Sequence, residues 1–212
     1  MTAILAIVSS DKVFLAMDTL VTNPGDGTPR SFASKMLPLP HLKSLVCGTG
    51  VHEYILQWFM TLQTTSLPGN DVRAVESLAD ELLGVGWRLY AAQNAHLSST
   101  IYHFGYDNAE GRFRAFMRKS DQNFATSELG YSFVSKPPVP PRDTYELPQT
   151  FIELMSEQRA IDAELPLQLR AGIGGELQVG LLELDSISIT TCHRFADYEQ
   201  QRSDMVGRRP AV

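Results

Sequence analysis

The sequence predicts an α+β protein, in which antiparallel strand pairs and amphipathic helices follow one another along the chain. Residues 3–8 form a nearly unbroken apolar run and residues 187–190 alternate between isoleucine and a hydroxyl residue, and both patterns are typical of strands. Between residues 55 and 62 the apolar residues recur at helical spacing. The resulting order is strand pairs, two helices, strand pairs, a helix and a last strand pair, which indicates the α+β class.

The chain begins with a predicted hairpin. Residues 3–8 and 13–17 are both apolar, and Ser-Ser-Asp-Lys at residues 9–12 supplies the turn between them. Apolar residues on both sides of each strand predict that both faces are buried. Residues 23–30 contain two glycines and two prolines and therefore predict a loop.

A third strand and two helices are predicted next. The strand covers residues 42–47 and ends at a Gly-Thr-Gly turn, residues 48–50. The first helix ends near Pro68, and the second begins at Asn70 or Asp71, either of which could cap it. The apolar face of the first helix contains Ile55, Trp58, Phe59 and Leu62. That of the second contains Val72, Val75, Leu78 and Leu82 and extends toward Leu89.

The second half repeats strand and helix signals. Strands are predicted over residues 100–104 and 112–117, joined by a hairpin turn at residues 107–111. Four prolines in residues 136–141 exclude a helix or a central strand there. This segment is either a rigid surface connection or a partner-docking segment. Phe113, Ala115 and Met117 are predicted to share one face of their strand.

A third helix and a last strand pair complete the prediction. The helix begins beyond Leu147, where Pro148 occupies a first-turn position that needs no N–H group. Phe151, Leu154 and Met155 are expected to face inward. Residues 177–182 and 187–190 then form strands around a turn at residues 184–186.

Size and charge limit the function classes. A chain of 212 residues fits one domain, residues 1–212, with a polar C-terminal tail from about residue 199. A net charge of -6 argues against nucleic-acid binding, and Arg202, Arg208 and Arg209 are interpreted as a solvated end. We expect a cytoplasmic protein without a membrane contact, because no basic leader precedes an apolar segment and no apolar run approaches the roughly 20 residues of a membrane span.

Metal and cofactor sites are not predicted. Cys47 and Cys192 lie in apolar or strand-like sequence, which favours buried free thiols of a reducing compartment over a disulfide. The histidines have no metal-ligand spacing and are interpreted as core or surface residues. They are His41, His52, His96, His103 and His193.

Thr2 is the first candidate for chemistry. If Met1 is removed, Thr2 carries a hydroxyl nucleophile and a free α-amine on the same residue. Such an amine has a pKa of about 7.7–8.0, so that at neutral pH part of it can accept the proton of the hydroxyl. A threonine with an N-terminal amine is a known substitute for a catalytic triad.

The surrounding sequence resembles a known family of such enzymes. The resemblance covers roughly residues 2–63 and rests on Thr2-Ala3, the strand Val-Phe-Leu-Ala-Met-Asp-Thr that contains Asp18, the step Ser-Lys-Met that contains Lys35, and Cys-Gly-Thr-Gly before a helix. Residues 174–179 look like the late Gly-Gly strand of the same family. In these features the chain is similar to proteasome β-subunits and HslV-type peptidases, N-terminal nucleophile hydrolases with a four-layer αββα sandwich of two antiparallel sheets.

The resemblance implies a role for each matching residue. Thr2 is the nucleophile, Asp18 pairs with Lys35, and Lys35 lowers the proton affinity of the threonine hydroxyl. The N–H of Gly48 forms the oxyanion hole, and whether Thr49 adds a second N–H stays open. Substrate specificity is expected from side chains near Thr19, Cys47 and Thr49.

The family also implies partners. Its members form rings, so a homo-oligomer acting on a peptide or amide is expected, and an ATP-dependent unfoldase is a candidate partner. Trp58, Phe59 and Trp87 then face either neighbouring subunits or the core.

Two features depart from the family pattern. The usual Gly-Ser-Gly turn and the helix after it are missing, and Ser127 is only a weak positional substitute for the serine. Residues 168–171, before the late glycine pair, contain neither an acid nor a hydroxyl. The alternatives are therefore an inactive subunit that serves assembly or binding, or a small-molecule amidase of the same fold.

Overall fold

The computed structural model describes residues 2–23, 26–92 and 97–207. In this part the chain is a mixed α+β protein with two five-stranded sheets, a small two-stranded sheet and four α-helices. All paired strands are antiparallel. The α+β class predicted from the sequence is confirmed.

The strands fall into three sheets. In spatial order, the first sheet consists of β10 (Phe133–Lys136), β1 (Ile4–Val8), β2 (Val13–Asp18), β11 (Glu176–Glu183) and β12 (Ser186–Arg194). The second consists of β5 (Leu37–Leu39), β6 (Ser44–Gly50), β7 (Ser99–Asp107), β8 (Arg112–Lys119) and β9 (Thr126–Glu128). The small sheet pairs β3 (Leu20–Thr22) with β4 (Pro29–Phe32).

Three of the four helices in the described part of the chain cover the outer sides of the two large sheets, and the fourth, nearest the C-terminus, packs on the small sheet. The helices are α1 (His52–Thr64), α2 (Val72–Ala91), α3 (Gln149–Glu164) and α4 (Tyr198–Gly207). Side chains of α1 and α2 share a buried cluster with Val46 and Ile101 of the second sheet. Side chains of α3 share another with Leu5 and Leu177 of the first sheet.

A third buried cluster joins the two large sheets. Ile4, Met17 and Leu182 of the first sheet pack against Leu45 and Phe104 of the second. Burial of each such side chain contributes about 1.5–3 kcal/mol, so this cluster is the main force that holds the sheets together. It also explains the near-continuous apolar runs of β1 and β2, whose two faces contact the other sheet and α3.

Most of the predicted longer elements are present. The first hairpin, the turn at residues 107–111 and the strand pair around residues 184–186 form where they were expected. Asp71 caps α2, because its Oδ1 accepts hydrogen bonds from the N–H groups of Arg73 (3.1 Å) and Ala74 (3.3 Å). Phe151, Leu154 and Met155 of α3 are fully buried, as predicted.

The predicted apolar face of α2 is wrong in its second half. Leu82 and Leu89 are exposed, whereas Leu83 and Trp87 are buried together with Ala79. The buried row follows i, i+4 steps, since these place Trp87 edge-on against Tyr54 of α1, with 5.0 Å between the ring centroids.

The third strand also differs from its prediction. It begins two residues later, at Ser44, and continues through the glycines that were predicted to form a turn. A Cβ atom on Gly50 would lie 2.1 Å from the carbonyl oxygen of Ser98, and Gly50 has φ +102°. These glycines therefore allow β6 to pass close to its neighbours, which is a role inside the strand.

Several short strands were not predicted. The loop predicted for residues 23–30 ends at β4, while Pro24 and Gly25 lie outside the described residues. β10 ends at Lys136, so the proline-rich segment begins with the last residue of a strand. Strands of three or four residues are too short to show a period in the sequence.

The predicted polar tail from residue 199 is largely helix α4. The ring of Tyr198 stacks on Phe32 of β4 at 4.6 Å, and Gln201 is buried. Arg208 and Arg209 lie outside the described residues. None of the helices in the part of the chain that the structure describes is long and apolar enough to cross a membrane.

A buried polar network connects α1 and α2 to the second sheet. The Arg118 guanidinium donates to the Glu76 carboxylate, with Nη2 2.6 Å from Oε2, and to the carbonyl of Phe124 at 2.9 Å. Trp58 Nε1 donates to His103 Nε2 (2.8 Å), which leaves His103 Nδ1–H to donate to Glu76 Oε1 at 2.5 Å. Burial works to raise the pKa of Glu76, but the hydrogen bonds from His103 and Arg118 lower it below its usual value.

We expect Glu76→Ala to destabilise the protein by about 3–5 kcal/mol, because it leaves the buried charge of Arg118 without its main partner. Asp80→Ala is the matched control, since Asp80 also contacts Arg118 but its side chain is 65% exposed. The control should lose at most about 1 kcal/mol. Urea unfolding measures both losses, and equal losses would contradict the proposed role of Glu76.

Candidate active site

The Asp18 carboxylate lies at the centre of the candidate site. Asp18 is the last residue of β2 and is fully buried. Its Oδ1 accepts hydrogen bonds from the N–H of Ala3 (3.2 Å) and from Lys35 Nζ (2.9 Å). Its Oδ2 accepts a hydrogen bond from the N–H of Gly174 (3.2 Å). Asp18 thereby joins three segments that are far apart in the sequence.

Lys35 lies between β4 and β5 and is 4% exposed. Besides its contact with Asp18, its Nζ donates a hydrogen bond to the carbonyl oxygen of Leu20 at 2.6 Å. Burial lowers the pKa of Lys35, and the charge and hydrogen bond of Asp18 oppose that change. The predicted contact between Asp18 and Lys35 is thus present as a buried ion pair.

Thr2 lies two residues before the start of β1 and is 8% exposed. Since side chains alternate along a strand, Thr2 extends the face of Ile4, which belongs to the cluster between the sheets. The hydrogen bond from the N–H of Ala3 to Asp18 fixes the orientation of the peptide that follows Thr2. Thr2 is therefore the residue that precedes the contact between Ala3 and the ion pair of Asp18 and Lys35.

Gly48 lies in the part of β6 that extends beyond the end of β5, so that one edge of the strand is unpaired there. Strand β5 pairs with β6 only from Ser44 to Val46, so it ends before Gly48. The N–H of Tyr106 donates to the carbonyl of Lys43, and by alternation from Lys43 the N–H of Gly48 points away from β7. A Cβ atom at Gly48 would lie 2.6 Å from the carbonyl oxygen of Thr100, so no larger residue fits there.

The late glycine pair closes the site from the other side. The N–H of Gly174 reaches Asp18, and the N–H of Gly175 donates to Gln201 Oε1 of α4 at 2.9 Å. Gly175 has φ +75°, and a Cβ atom there would lie 2.5 Å from the Thr19 hydroxyl. That hydroxyl accepts a hydrogen bond from the N–H of Glu176 (2.8 Å). The Thr19 hydroxyl is thus used in contacts with Gly175 and Glu176.

The three residues expected to bind substrate are buried. Thr19 is 3% exposed, and Cys47 and Thr49 are fully buried. Cys47 belongs to the cluster between the sheets, and burial raises its pKa above the usual range. These side chains therefore contact neighbouring elements of the fold, and the structure gives no open pocket wall at Cys47.

Ser127 does not reach the site. It lies in β9, which pairs with β8 at Met117 and is separated from β6 by β7 and β8. Between β10 and α3, where every residue is described, the structure has no helix. Ser127 therefore cannot substitute for a serine at the candidate site, because the second sheet places it in the edge strand opposite β5.

Two residues of α3 that were not predicted from the sequence also shape the site. Gln158 on the buried side of α3 donates from Nε2 to the carbonyl oxygens of Ile4 (3.3 Å) and Pro137 (2.6 Å). Asp162, one turn further along α3, accepts hydrogen bonds from the N–H groups of Ala171 (2.5 Å) and Gly172 (2.9 Å). Both are polar residues at inward helix positions, and that position is the one signal the sequence offered.

Metal ligands do not converge in the part of the chain that is described. No group of three histidine, cysteine, aspartate or glutamate side chains there is placed to hold a metal ion. His96 lies outside the described residues. Both ring nitrogens of His103 are hydrogen-bonded, one to Trp58 and the other to Glu76.

A comparison of the chain with protein-family models finds no match, and a comparison with curated proteins finds none either. The functional assignment of the site therefore depends on its own geometry and on the resemblance seen in the sequence.

We expect Cys47 to resist alkylation in the folded protein, because its thiol is buried and its pKa is raised. Cys192 is the internal control, since it is only half-buried. Iodoacetamide at pH 8 followed by peptide mass spectrometry should find modified Cys192 first, and modified Cys47 only after denaturant is added. Fast alkylation of native Cys47 would show instead that this residue lines an accessible pocket.

Proposed function

We propose that this chain is a threonine-type amide hydrolase of the proteasome-like N-terminal nucleophile family, with Thr2 as its nucleophile once Met1 has been removed. The observation that carries the proposal is the coupling of the Thr2 segment to a buried Lys35 through Asp18. The layered arrangement of two antiparallel sheets between helices agrees with the αββα sandwich of that family. Assembly into a ring and an unfoldase partner belong to the same proposal.

The proposed reaction begins at the hydroxyl of Thr2. The α-amine accepts the hydroxyl proton while the oxygen attacks the amide carbonyl of the substrate. Lys35 contributes its positive charge, which favours the alkoxide form of the hydroxyl. Asp18 keeps Lys35 charged, since an unpaired buried ammonium would lose its proton instead.

The negative charge then develops on the former carbonyl oxygen. The Gly48 N–H on the open edge of β6 is the donor proposed for it, with an effect on the order of 3 kcal/mol for one such donor. The amine of Thr2 returns its proton to the leaving group, and an ester between Thr2 and the acyl group remains. Water, activated by the same amine, cleaves this ester and regenerates the hydroxyl.

Intact-mass measurement is the first test, because Met1 lies outside the described residues. Retained Met1 would exclude Thr2 as the nucleophile, since its amine would be in a peptide bond. With Met1 removed, a peptide β-lactone should add its whole mass to the protein at Thr2. Thr2→Ala should abolish the addition, whereas Thr64→Ala, an exposed threonine on α1, should leave it unchanged.

Addition of the lactone to Thr2→Ala at the same rate would contradict the proposal. Absence of addition to the processed wild-type protein would favour the inactive subunit, for which the missing acid and hydroxyl before Gly174 also argue. Cleavage of small amides without cleavage of peptides would identify the amidase.

We expect Lys35→Met to slow acylation of Thr2 on the order of 100-fold, because the charge that favours the alkoxide is lost. The single variant leaves Asp18 buried without its cation and will also be less stable. The double variant Asp18→Asn, Lys35→Met removes both charges and should regain stability while it stays slow. Lys12→Met, on the exposed hairpin turn, is the control and should react like the wild type.

Recovery of the wild-type rate in the double variant would show that Lys35 acts through folding alone. Thermal unfolding of each variant separates the two effects, because a change in rate without a change in midpoint belongs to the chemistry.

A further inference from the structure

Lys136 is a second lysine at the site, and neither the sequence pattern nor the proposed reaction uses it. It is the last residue of β10 and pairs with Ile4 of β1. Paired residues on antiparallel strands share a face, so Lys136 lies on the same face as Ile4 and Thr2. The ladder between β1 and β10 ends at this pair, and Thr2 lies two residues before Ile4 at the same end of the sheet.

The side chain of Lys136 crosses from the first sheet to the second. Its Nζ donates hydrogen bonds to the hydroxyl oxygens of Thr49 (2.8 Å) and Thr100 (3.3 Å). Both threonines are buried, whereas Lys136 is half-buried. The ammonium is thus held at the end of the interface between the sheets, beside the open edge at Gly48.

The charge of Lys136 has no direct counter-ion among the residues that the structure describes. Two neutral hydroxyls are its hydrogen-bond partners there, and an ammonium has a third N–H to donate. Lys119 is close enough to repel it, and Asp121, on the exposed turn after β8, attracts it. Burial and Lys119 together lower the pKa of Lys136, and Asp121 opposes them.

Lys35 differs from Lys136 in this respect. The charge of Lys35 is neutralised by Asp18 in a buried ion pair. A half-buried ammonium without such a partner is costly to keep, and an anion that brings a charge-assisted hydrogen bond stabilises it. The site therefore contains one cation that is paired within the fold and one that is free to pair with a ligand.

We propose that Lys136 is a specificity residue that binds a carboxylate of the substrate, so that the preferred substrate is an amide with an acidic group close to the bond that is cleaved. This inference rests on the proposed function for the identity of the cleaved bond. The binding of the carboxylate itself does not require Thr2 to react.

Binding is therefore measured in the Thr2→Ala variant, in which turnover is absent. The probes are N-acetylated, C-amidated hexapeptide pools that differ only by Glu or Gln at one position, and the small amides succinamate and succinamide. We expect the acidic member of one pair to bind about tenfold more tightly, the effect of one charge-assisted hydrogen bond. Preference in the peptide pair indicates a peptide substrate, and preference in the small pair a small amide.

Two substitutions at Lys136 test the assignment in the same background. Lys136→Met keeps the length of the side chain without its charge and should abolish the preference, whereas Lys136→Arg should retain it. The Glu and Gln comparison in the unsubstituted background stays informative even if Lys136→Met fails to fold.

The proposal is overturned if neither acidic probe binds, if acidic and neutral probes bind equally, or if Lys136→Met keeps the preference. None of these results depends on acylation of Thr2, which is tested separately with the lactone. If the protein prefers acidic ligands but is not acylated by the lactone, the carboxylate-binding role of Lys136 is supported and the proposed hydrolase activity is contradicted.

Discussion

Asp18 is the contact on which the candidate site depends. Its two carboxylate oxygens receive the N–H of Ala3, the ammonium of Lys35 and the N–H of Gly174, and the carboxylate is fully buried. A buried carboxylate is tolerated when its charge is paired and its lone pairs are used. The requirement is reciprocal, because each of the three segments is held in place by satisfying Asp18. The start of β1, the segment before β5 and the glycine pair therefore keep their positions together.

The protein contains a second buried charge network with a different environment. Glu76, His103 and Arg118 lie between the helical pair and the second sheet, and each one has partners within the network. They connect α2 to the second sheet. The ion pair of Asp18 instead lies at the end of the sheets, beside Thr2 and a lysine that lacks a carboxylate partner in the described structure. Both networks are buried, and it is the groups beside Asp18 that make its surroundings the candidate site.

The sequence predicted the longer elements well because their periods are set by burial. The apolar runs of β1 and β2 and the inward face of α3 follow from contact with two layers. The predicted face of α2 was wrong beyond Leu78 because both candidate rows are apolar, and contacts of Trp87 with the rings of Tyr54 and Phe124 select between them. Of the site, Thr2, Asp18 and Lys35 could be predicted from a resemblance in local sequence. Lys136, Gln158 and Asp162 could not, because their roles depend on which strands and helices meet, and no local pattern encodes that.

Helix α4 is connected to Asp18 through the backbone of the glycine pair. Gln201 binds the N–H of Gly175, and Gly174, the preceding residue, binds Asp18. A Cβ atom on Gly174 would lie 2.4 Å from Gln201 Nε2, so the helix and the glycine pair are in close contact. A helix of low hydrophobicity has little apolar surface to hold it, and the stacking of Tyr198 on Phe32 attaches it to the small sheet. The small sheet in turn is continuous with the segment that carries Lys35. The C-terminal helix thus closes a ring of contacts from Gln201 through the glycine pair and Asp18 to Lys35. Gln201 is the polar residue of α4 that is buried in this ring, whereas Glu199, Gln200 and Arg202 are exposed.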